Sequence, residues 1–351
     1  MNANVTQQVG SLDQREAAAS IAVIGVGGGG CNAVMRMIRE RTVPGVRYIC
    51  VNTDVKSLQM VKGAAIIQIG QRLTHGLGAG GDPTVGNQSA EQDHSALRQA
   101  IGNPDLVFVT AGMGGGTGTG AAPIVAEIAR NAGALVVGLV TTPFSWEGSR
   151  RLELAKAGIE RLREKVDNLV VVHNERLLEL MDKNVSMEEA LRRADEAVMY
   201  GVLSVAELVN VPGEINVDLA DVRTIMKLPG RALMAIGEAP EPGGALEAAK
   251  IAVANPLLNI SIEGAKGILF CVNGGPKLTL GDVNAAGELI SSKVDRKAII
   301  FFGMVNNVHN EDRVRLTLIA TGIPEVAPSS SGWLGAGTDV RTQTPSPVRA
   351  R

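Results

Sequence analysis

The sequence is poor in aromatic residues, and its positive and negative charges nearly cancel. Phenylalanine, tryptophan and tyrosine make up only 3% of the 351 residues, so the core must be built from aliphatic side chains. With 34 basic and 36 acidic residues the formal net charge is −2, which argues against a polyanionic partner such as nucleic acid. No run is long and apolar enough to cross a bilayer, and the polar residues 1–20 are unlike a secretory signal. We therefore expect a cytoplasmic protein without direct membrane insertion.

Two common kinds of site are missing. The cysteines Cys31, Cys50 and Cys271 are scattered in apolar runs without metal-ligand spacing, which predicts buried, reduced thiols and no metal site made of protein ligands. The pattern Gly-x-x-x-x-Gly-Lys-Ser/Thr does not occur, which excludes an ordinary P-loop nucleotide triphosphatase.

Glycine, by contrast, is abundant, with 42 residues, and many of the glycines follow short apolar runs. Strands that alternate with helical patterns predict an α/β fold with a doubly wound parallel sheet. Since ligands in such sheets bind at the carboxyl ends of the strands, we expect the glycine-rich loops to meet at one edge. The predicted strands of this sheet are residues 21–25, 47–51, 64–69, 106–110, 134–140 and 168–172.

A continuous helical pattern over Met187–Asn210 follows the predicted sheet. Ser186 and Glu189 predict a capping box at its start, and Pro212-Gly213 predicts its end. At roughly 35 Å it is long enough to link two domains. Beyond it, a helix over 244–254 and three strand-like runs predict a second, smaller α/β domain. The predicted organisation is a disordered arm (1–19), a first domain (20–186), the central helix (187–210), a second domain (211–323) and a disordered tail (324–351).

The strongest chemical motif is Gly114-Gly-Gly-Thr-Gly-Thr-Gly120, between a predicted strand and a helix predicted to start near Ala121. Backbone N–H groups in such a loop can form an anion-binding nest, to which the helix N-terminus adds partial positive charge. Thr117 and Thr119 supply hydroxyl donors. The motif predicts a phosphate-binding loop.

A second glycine run, Gly25-Val-Gly-Gly-Gly-Gly30, leaves two interpretations open. Together with Asp54 near the end of the second strand it fits a dinucleotide-binding fold, so an NAD-dependent enzyme is one alternative. The richer loop over residues 114–120 is not needed in such a fold and favours a different nucleotide site.

These motifs together resemble the tubulin/FtsZ family, over roughly residues 20–323. Residues 114–120 are similar to the family signature, and residues 23–34 look like the first nucleotide loop of bacterial FtsZ. The resemblance implies a GTP-binding domain, a long central helix and a C-terminal activation-type domain, with GTP or GDP as ligand. Further motifs in the family's order are Asn52-Thr-Asp54, Gly76-Leu-Gly-Ala-Gly80, Pro143-Phe-Ser-Trp-Glu-Gly148 with Arg151, and Asn216-Val-Asp-Leu-Ala-Asp-Val-Arg-Thr224.

Matching positions imply residues for each part of the nucleotide. Glu147 and Arg151 would lie at the sugar-phosphate side, and Asn174 and Asp195 would read the guanine edge. The family often stacks a phenylalanine on the base where this chain has Leu191, so we expect somewhat weaker binding than in relatives. The residues that the resemblance assigns to the wall of the site and to the phosphates are Gly28, Gly29, Gly30, Cys31, Asn32, Gly115, Gly116, Thr117, Gly118 and Thr119.

The segment over residues 216–224 has a structural and a catalytic interpretation. Asp218 fits an N-cap and Asp221 fits the first turn of a helix, and taken alone this interpretation is preferred. The resemblance implies instead that Asp218 and Asp221, assisted by Asn216, enter the site of a neighbouring subunit and orient the attacking water. Mg²⁺ would then bridge the β- and γ-phosphates.

The function that the resemblance implies is a GTP-hydrolysing cytoskeletal protein. It would polymerise head to tail into protofilaments for bacterial cell division, in the cytoplasm at the division site. Its partners would be its own copies and division-site adaptors, although residues 345–351 lack the acidic-apolar docking peptide that usually ends FtsZ chains. The alternative is an FtsZ-like filament-forming or regulatory paralogue with weak hydrolysis, against which the presence of both Asp218 and Asp221 argues.

Overall fold

The computed structural model describes residues 19–40, 42–179, 186–211, 215, 217–240, 243–254, 261–306 and 313–324. Nearly all of the predicted arm and tail lies outside these residues, as does Pro212-Gly213, which was predicted to end the long helix. No helix within the described ranges combines the length and the apolar character needed to cross a bilayer.

The first part of the chain forms a six-stranded sheet flanked by helices. Its strands are β1 (Ile21–Val26), β2 (Val46–Asn52), β3 (Ala65–Gln68), β4 (Leu106–Gly112), β5 (Leu135–Thr142) and β6 (Asn168–His173). All neighbours pair in parallel, in the order β3-β2-β1-β4-β5-β6. The helices of this part are α1 (Gly27–Glu40), α2 (Val55–Gln59), α3 (Gln71–Thr74), α4 (Pro83–Gln92), α5 (His94–Ile101), α6 (Thr117–Asn131), α7 (Ser149–Arg163) and α8 (Asn174–Glu179), with a 3-10 turn at Ser145–Glu147.

This sheet confirms the predicted doubly wound fold and all six predicted strands. Each strand is a short aliphatic run, and β1, β4 and β5 are buried on both faces because helices cover them. Helices α2, α3, α4, α5 and α8 are additional to the prediction. The buried face of α4 consists of small or polar residues, so it has no hydrophobic period, and its remaining sequence signal is the N-cap Asp82, which accepts from Thr84 N–H at 2.8 Å.

Helix α9 (Met187–Asn210) has the bounds predicted from the sequence. Only half of the predicted capping box forms. Ser186 Oγ accepts from the Glu189 N–H at 3.2 Å, but the Glu189 carboxylate pairs with Arg192, one turn along the same helix. The stronger charge-assisted contact therefore replaces the second half of the box.

The second part of the chain forms a four-stranded sheet. Its elements are α10 (Leu219–Met226), β7 (Arg231–Pro240), α11 (Gly244–Ala254), β8 (Gly267–Gly274), α12 (Leu280–Ser291), β9 (Ile299–Asn306) and β10 (Arg313–Ile323). The strand order is β7-β10-β8-β9, with β10 antiparallel to both of its neighbours and β8 parallel to β9. The three predicted strand-like runs are β8, β9 and β10. Strand β7 and helix α12 are additional, and both are interrupted by glycine, which weakens their sequence pattern.

Helix α9 joins the two sheets. Its apolar side chains belong to one core that includes Leu139 of β5 and Leu269 of β8. Its C-terminal half also makes polar contacts with β10, because Ser204 Oγ lies 2.8 Å from Thr317 Oγ1 and the Arg315 guanidinium lies 3.7 Å from the centre of the Tyr200 ring. A substitution in α9 can therefore affect the packing of both sheets.

Helices α4 and α6 pack so closely that a single methyl group is predicted to destabilise the fold. A Cβ at Gly120 of α6 would lie 2.0 Å from the carbonyl oxygen of Pro83. We expect Gly120→Ala to lower the free energy of unfolding by about 2 kcal/mol, since overpacking outweighs the gain in helix propensity. Urea denaturation measures this. Gly287→Ala in α12 is the control, because its Cβ would meet Phe270 at an ordinary 3.5 Å and should stabilise by about 0.5 kcal/mol. Equal stabilities for both variants would contradict the prediction.

Candidate nucleotide site

A cavity of about 370 Å³ lies at the carboxyl edge of the six-stranded sheet. Its walls come from the segments that follow β1, β3, β4, β5 and β6 and from the N-terminal part of α9. The glycine-rich loops therefore meet at one edge, as the alternation of strands and helices predicts. The predicted site residues that line the cavity are Gly28, Gly29, Asn32, Gly115, Gly116, Thr117, Gly118, Glu147, Arg151, Asn174 and Asp195.

Three of the residues predicted to bind the nucleotide are not part of this lining. Gly30 is pressed against β4, where a Cβ would meet a backbone oxygen at 2.3 Å. The Cys31 thiol is buried against backbone carbonyls of β1 and β2, and its hydrogen bond with Cys50, followed by burial, raises its pKa. The Thr119 hydroxyl, predicted to face phosphate, is fully buried and accepts from the Gly114 N–H at 2.8 Å. The side chains of Cys31 and Thr119 are therefore engaged within the protein.

Helices α1 and α6 both begin inside the glycine runs. The sequence predicted α6 to start near Ala121, but it starts at Thr117, because Gly116 continues directly into the first turn. First-turn residues of both helices line the cavity, and neither first turn carries an acidic side chain. Gly116 also supplies no side-chain cap. Two helix N-termini with uncapped N–H groups therefore meet at the cavity, which favours an anion.

The two glycine loops also touch each other. Gly27 has a φ of 72°, and a Cβ there would lie 2.7 Å from the backbone nitrogen of Gly118. A side chain at Gly27 would separate the two helix N-termini. At Gly28 and Gly115 a Cβ would meet nothing within 4 Å, so these positions leave open space in the cavity. The loops form a cradle whose floor is backbone.

Asp54, the acidic residue that a dinucleotide-binding fold would use to bind the ribose, does not face the cavity. The strand order of the six-stranded sheet is shared with dinucleotide-binding folds, so the sheet alone does not decide between the two interpretations. Asp54, however, caps α2. Its carboxylate accepts from Lys56 N–H at 2.9 Å and from Ser57 Oγ at 2.7 Å, and it is outside the cavity lining. The Ser57 hydroxyl holds the pKa of Asp54 below its usual value.

Glu147 and Arg151 form an ion pair at one wall of the cavity. Arg151 Nη1 lies 2.5 Å from Glu147 Oε2, and Glu147 Oε1 accepts from the Phe144 N–H at 2.9 Å. The carboxylate is therefore held in place by the turn that follows β5, while half of the Arg151 side chain stays exposed. The pair supplies one fixed carboxylate and one cation at the edge of the cavity.

The lining also contains polar groups suited to a base, Asn174 and Asp195, and we call the part of the cavity that they form the base end. Asn174 is 6% exposed, and its Oδ1 has no hydrogen-bond partner. Asp195 of α9 pairs with Arg36 of α1, whose Nε lies 3.5 Å from Oδ2. Burial raises the pKa of Asp195 to about 6, against the lowering effect of Arg36. Leu191, one turn before Asp195, lines the cavity with 47% of its surface exposed.

The predicted catalytic acids lie outside the cavity of their own chain. Asp218 is the N-cap of α10, and its Oδ1 accepts from the Asp221 N–H at 2.8 Å, so the structural interpretation of these residues is confirmed. Partial desolvation, and then the nearby Asp218 carboxylate, raise the pKa of Asp221. Asn216 lies outside the described residues. Within one chain, the two acids cannot act on a ligand in this cavity.

Several residues at the cavity are absent from the sequence prediction. Ala79 and Gly81 come from the loop after α3, and Thr141 and Thr142 end β5. The threonines carry a usable signal, since polar residues at the carboxyl end of a buried strand belong to the same edge. The role of Arg36 has no such signal in the sequence, because its partner Asp195 is far away along the chain.

An open parallel sheet with two glycine-lined helix N-termini at its carboxyl edge defines a phosphate-binding α/β protein. Residues 20–182 match the GTPase domain of the tubulin/FtsZ family, and residues 230–324 match the C-terminal domain of the FtsZ family. The chain belongs to the tubulin/FtsZ family. Membership supports GTP hydrolysis and implies GTP and GDP as ligands, which leaves the NAD-dependent alternative without support.

Comparison with solved structures also places the chain in this family. The chain is 40% identical to an FtsZ point mutant of M. jannaschii, with a TM-score of 0.84 over 88% of this chain and 92% of that one. The empty FtsZ dimer of M. jannaschii gives the same identity and TM-score, with 89% of that chain covered. The GDP-bound monomer of CetZ1 from Haloferax volcanii is 25% identical, with a TM-score of 0.74 over 88% of this chain and 95% of that one.

Proposed function

We propose that this protein binds GTP in the cavity, polymerises head to tail, and hydrolyses GTP at the contact between subunits. The observation that carries the proposal is the meeting of two uncapped helix N-termini at a cavity whose base end holds Asn174 and Asp195. The first feature suits a polyphosphate and the second suits a base. One ligand with both parts is a nucleoside triphosphate.

The phosphate end fits an anionic chain bound by backbone. Gly28 and Gly115 leave space where side chains would otherwise project, so phosphate oxygens could approach the N–H groups of both loops. Arg151 adds a half-exposed cation at the wall. Groups that bind through backbone N–H donors do not distinguish between nucleotides, so selectivity must come from the other end.

The base end fits guanine better than adenine. A carboxylate accepts hydrogen bonds only, and guanine presents two adjacent donors, N1–H and the 2-amino group, whereas adenine presents an unprotonated N1. Asp195 supplies such a carboxylate. The Asn174 carbonyl oxygen, buried without a partner, is a second acceptor whose cost of burial a ligand donor would remove.

Among the described residues, the lining of the cavity contains no free carboxylate near the phosphate loops. The acids in its lining are Glu147, which is paired with Arg151, and Asp195 at the base end. Hydrolysis requires a group that orients the attacking water in line with the transferred phosphate. Asp218, which is exposed, and Asp221, which is partly exposed, lie at the start of α10 and are suited to supply it to a neighbouring subunit. Hydrolysis would then depend on assembly.

Mg²⁺ in this proposal is held by the nucleotide. The described residues contain no group of three or more His, Cys, Asp or Glu side chains that could hold a metal ion. The polar lining residues near the phosphate loops are Thr117, whose hydroxyl lies 2.7 Å from that of Thr53, and Asn32. Mg²⁺ would neutralise phosphate charge, while these residues keep the loop shape.

The cellular role that we propose is assembly of a division ring at the cytoplasmic face of the division site. The similarity to FtsZ, including a dimer of M. jannaschii FtsZ, supports self-association through the same surfaces. Division-site adaptors are the other proposed partners. A fluorescent fusion expressed in place of the native protein tests this role, since a uniform cellular signal together with normal division would contradict it.

The experiment that tests shared-site hydrolysis is a concentration series. GTP turnover per subunit is measured from dilute to concentrated protein, with filament pelleting in parallel. We expect turnover per subunit to rise steeply at the concentration where pelleting begins. Equal turnover per subunit in dilute, unassembled protein would refute the shared site. Filaments with little turnover would instead support the paralogue with weak hydrolysis.

Leu191 gives a further prediction about affinity. A leucine can contact the base but cannot stack on it, so Leu191→Phe should tighten GDP binding about fivefold, the equivalent of about 1 kcal/mol. Calorimetric titration of GDP into dilute protein measures the change. Leu280→Phe is the control, because Leu280 is also exposed but lies on α12. An affinity for Leu191→Phe equal to that of the control would show that this position does not contact the base.

A further inference from the structure

We propose that Arg36 of α1 is a positioning residue for guanine recognition, one that keeps Asp195 charged and fixed at the base end of the cavity. The inference rests on the proposed binding of guanine nucleotides. It adds that their recognition depends on a cation from a different helix, one that is not part of the cavity lining.

The geometry places Arg36 where it can act only through Asp195. Arg36 Nε lies 3.5 Å from Asp195 Oδ2 in an ion pair without a hydrogen bond, and the arginine side chain is 19% exposed. Arg36 is absent from the cavity lining, whereas Asp195 is part of it. The Arg36 Nη1 atom also lies 3.5 Å from Glu40, one turn along α1, so a second carboxylate helps to hold the guanidinium. The arginine therefore contacts the Asp195 carboxylate without lining the cavity.

The other charged side chains near Asp195 on α9 form ion pairs with one another. Glu196, the next residue of α9, is an additional negative charge, and it pairs with Arg192 and Arg193. The same two arginines pair with Glu189, one turn earlier. Among the described residues, the single ion pair of Asp195 is with Arg36. The two arginines of α9 thus pair with Glu189 and Glu196, and the ion pair of Asp195 comes from α1.

The need for this cation follows from the environment of Asp195. Burial is the main cause that raises its pKa to about 6, and Glu196 raises it further, while Arg36 is the group that lowers it. Because only the ionised carboxylate accepts both guanine donors, binding is complete above this pKa and is lost as the pH falls through it. Removal of Arg36 shifts that loss to higher pH, into the neutral range.

The test is the pH dependence of GDP affinity in Arg36→Met. Affinity is measured from about pH 5.5 to about pH 8.5, with protein too dilute to assemble. We expect Arg36→Met to bind GDP about tenfold more weakly than the parent at about pH 6 and within about twofold of it at about pH 8.5. Protonation of GDP affects its binding to the parent and to every variant equally, so it cancels in the ratio of their affinities.

Arg39→Met is the matched control, since Arg39 lies on the same helix, is exposed, and forms no ion pair with any described residue. It should follow the parent at every pH. Arg36→Lys retains the charge on a shorter reach and should show the same shift to a smaller extent, so it answers the question if Arg36→Met does not fold. Melting temperatures without nucleotide check folding. Parent-like binding by Arg36→Met at all pH values, or an equal loss at all of them, would overturn the proposal.

Asp195→Ala separates failure of this inference from failure of the proposed function. If that variant binds GDP as well as the parent does, Asp195 does not recognise the base, and the proposed role of Arg36 is wrong as well. If Asp195→Ala binds weakly and Arg36→Met keeps the parent's pH profile, guanine recognition stands and only the role of Arg36 is wrong.

Discussion

Asp221→Ala is expected to bind GTP and to assemble, but to lose GTP turnover by about a hundredfold or more. The reason is that Asp221 lies outside the cavity of its own chain and is partly exposed in the first turn of α10, where a neighbouring subunit can reach it. Removal of its side chain leaves the cavity unchanged. Turnover, nucleotide affinity and pelleting are measured on the same sample, and full turnover in assembled Asp221→Ala would exclude the assignment.

Asp218 requires a gentler substitution, because its carboxylate caps α10. Asparagine is an equally good N-cap, so Asp218→Asn removes the charge while it keeps the hydrogen bond from the Asp221 N–H. We expect this variant to keep the parent's stability and to lose turnover. Asp218→Ala would confuse a catalytic loss with an uncapped helix, which costs about 1 kcal/mol.

A mixing experiment tests whether the acids act on a neighbour. Asp221→Ala retains an intact cavity, and Asp195→Ala retains intact acids, so each lacks one half of a shared site. A filament that contains both has contacts where an intact cavity meets intact acids. Turnover by the mixture above that of either variant alone is expected, whereas a mixture as inactive as its components would show that each chain must contain both halves.

The sequence predicted the frame of the fold because that frame depends on local patterns. Aliphatic runs, helical periods and the 24-residue helix α9 are visible within short windows, and the structure confirms them. The glycine motifs likewise indicate a phosphate site, since their composition alone forces loops at strand ends. Helix α4 was missed because its buried residues are Pro83, Gly86, Ser89 and Ala90, which together lack a hydrophobic pattern.

Three features of the site did not follow from the sequence, two of them because of local turn geometry and the third because its contact is distant in sequence. Thr119 was assigned to phosphate because its hydroxyl lies in the right motif, but the turn directs it to the Gly114 N–H instead. Cys31 follows the first glycine run, yet the first turn of α1 carries it toward the core. The pairing of Arg36 with Asp195 depends on how α1 and α9 pack, which no local window contains. Motifs predicted the location of the site, and packing determined which side chains face it.

Asp195→Asn is expected to change which nucleotide the protein prefers. The variant should lose at least about a hundredfold in GTP affinity, because the amide would present a donor to the 2-amino group of guanine and leave it unpaired. Xanthine carries a 2-oxo group in that place, so XTP should bind the variant more tightly than GTP does, and the parent should show the reverse order. Glu188→Gln, exposed in the first turn of the same helix, is the matched control and should keep the parent's preference. If Asp195→Asn weakened GTP and XTP equally, Asp195 would support the cavity without reading the base, and selectivity would have to come from Asn174 alone.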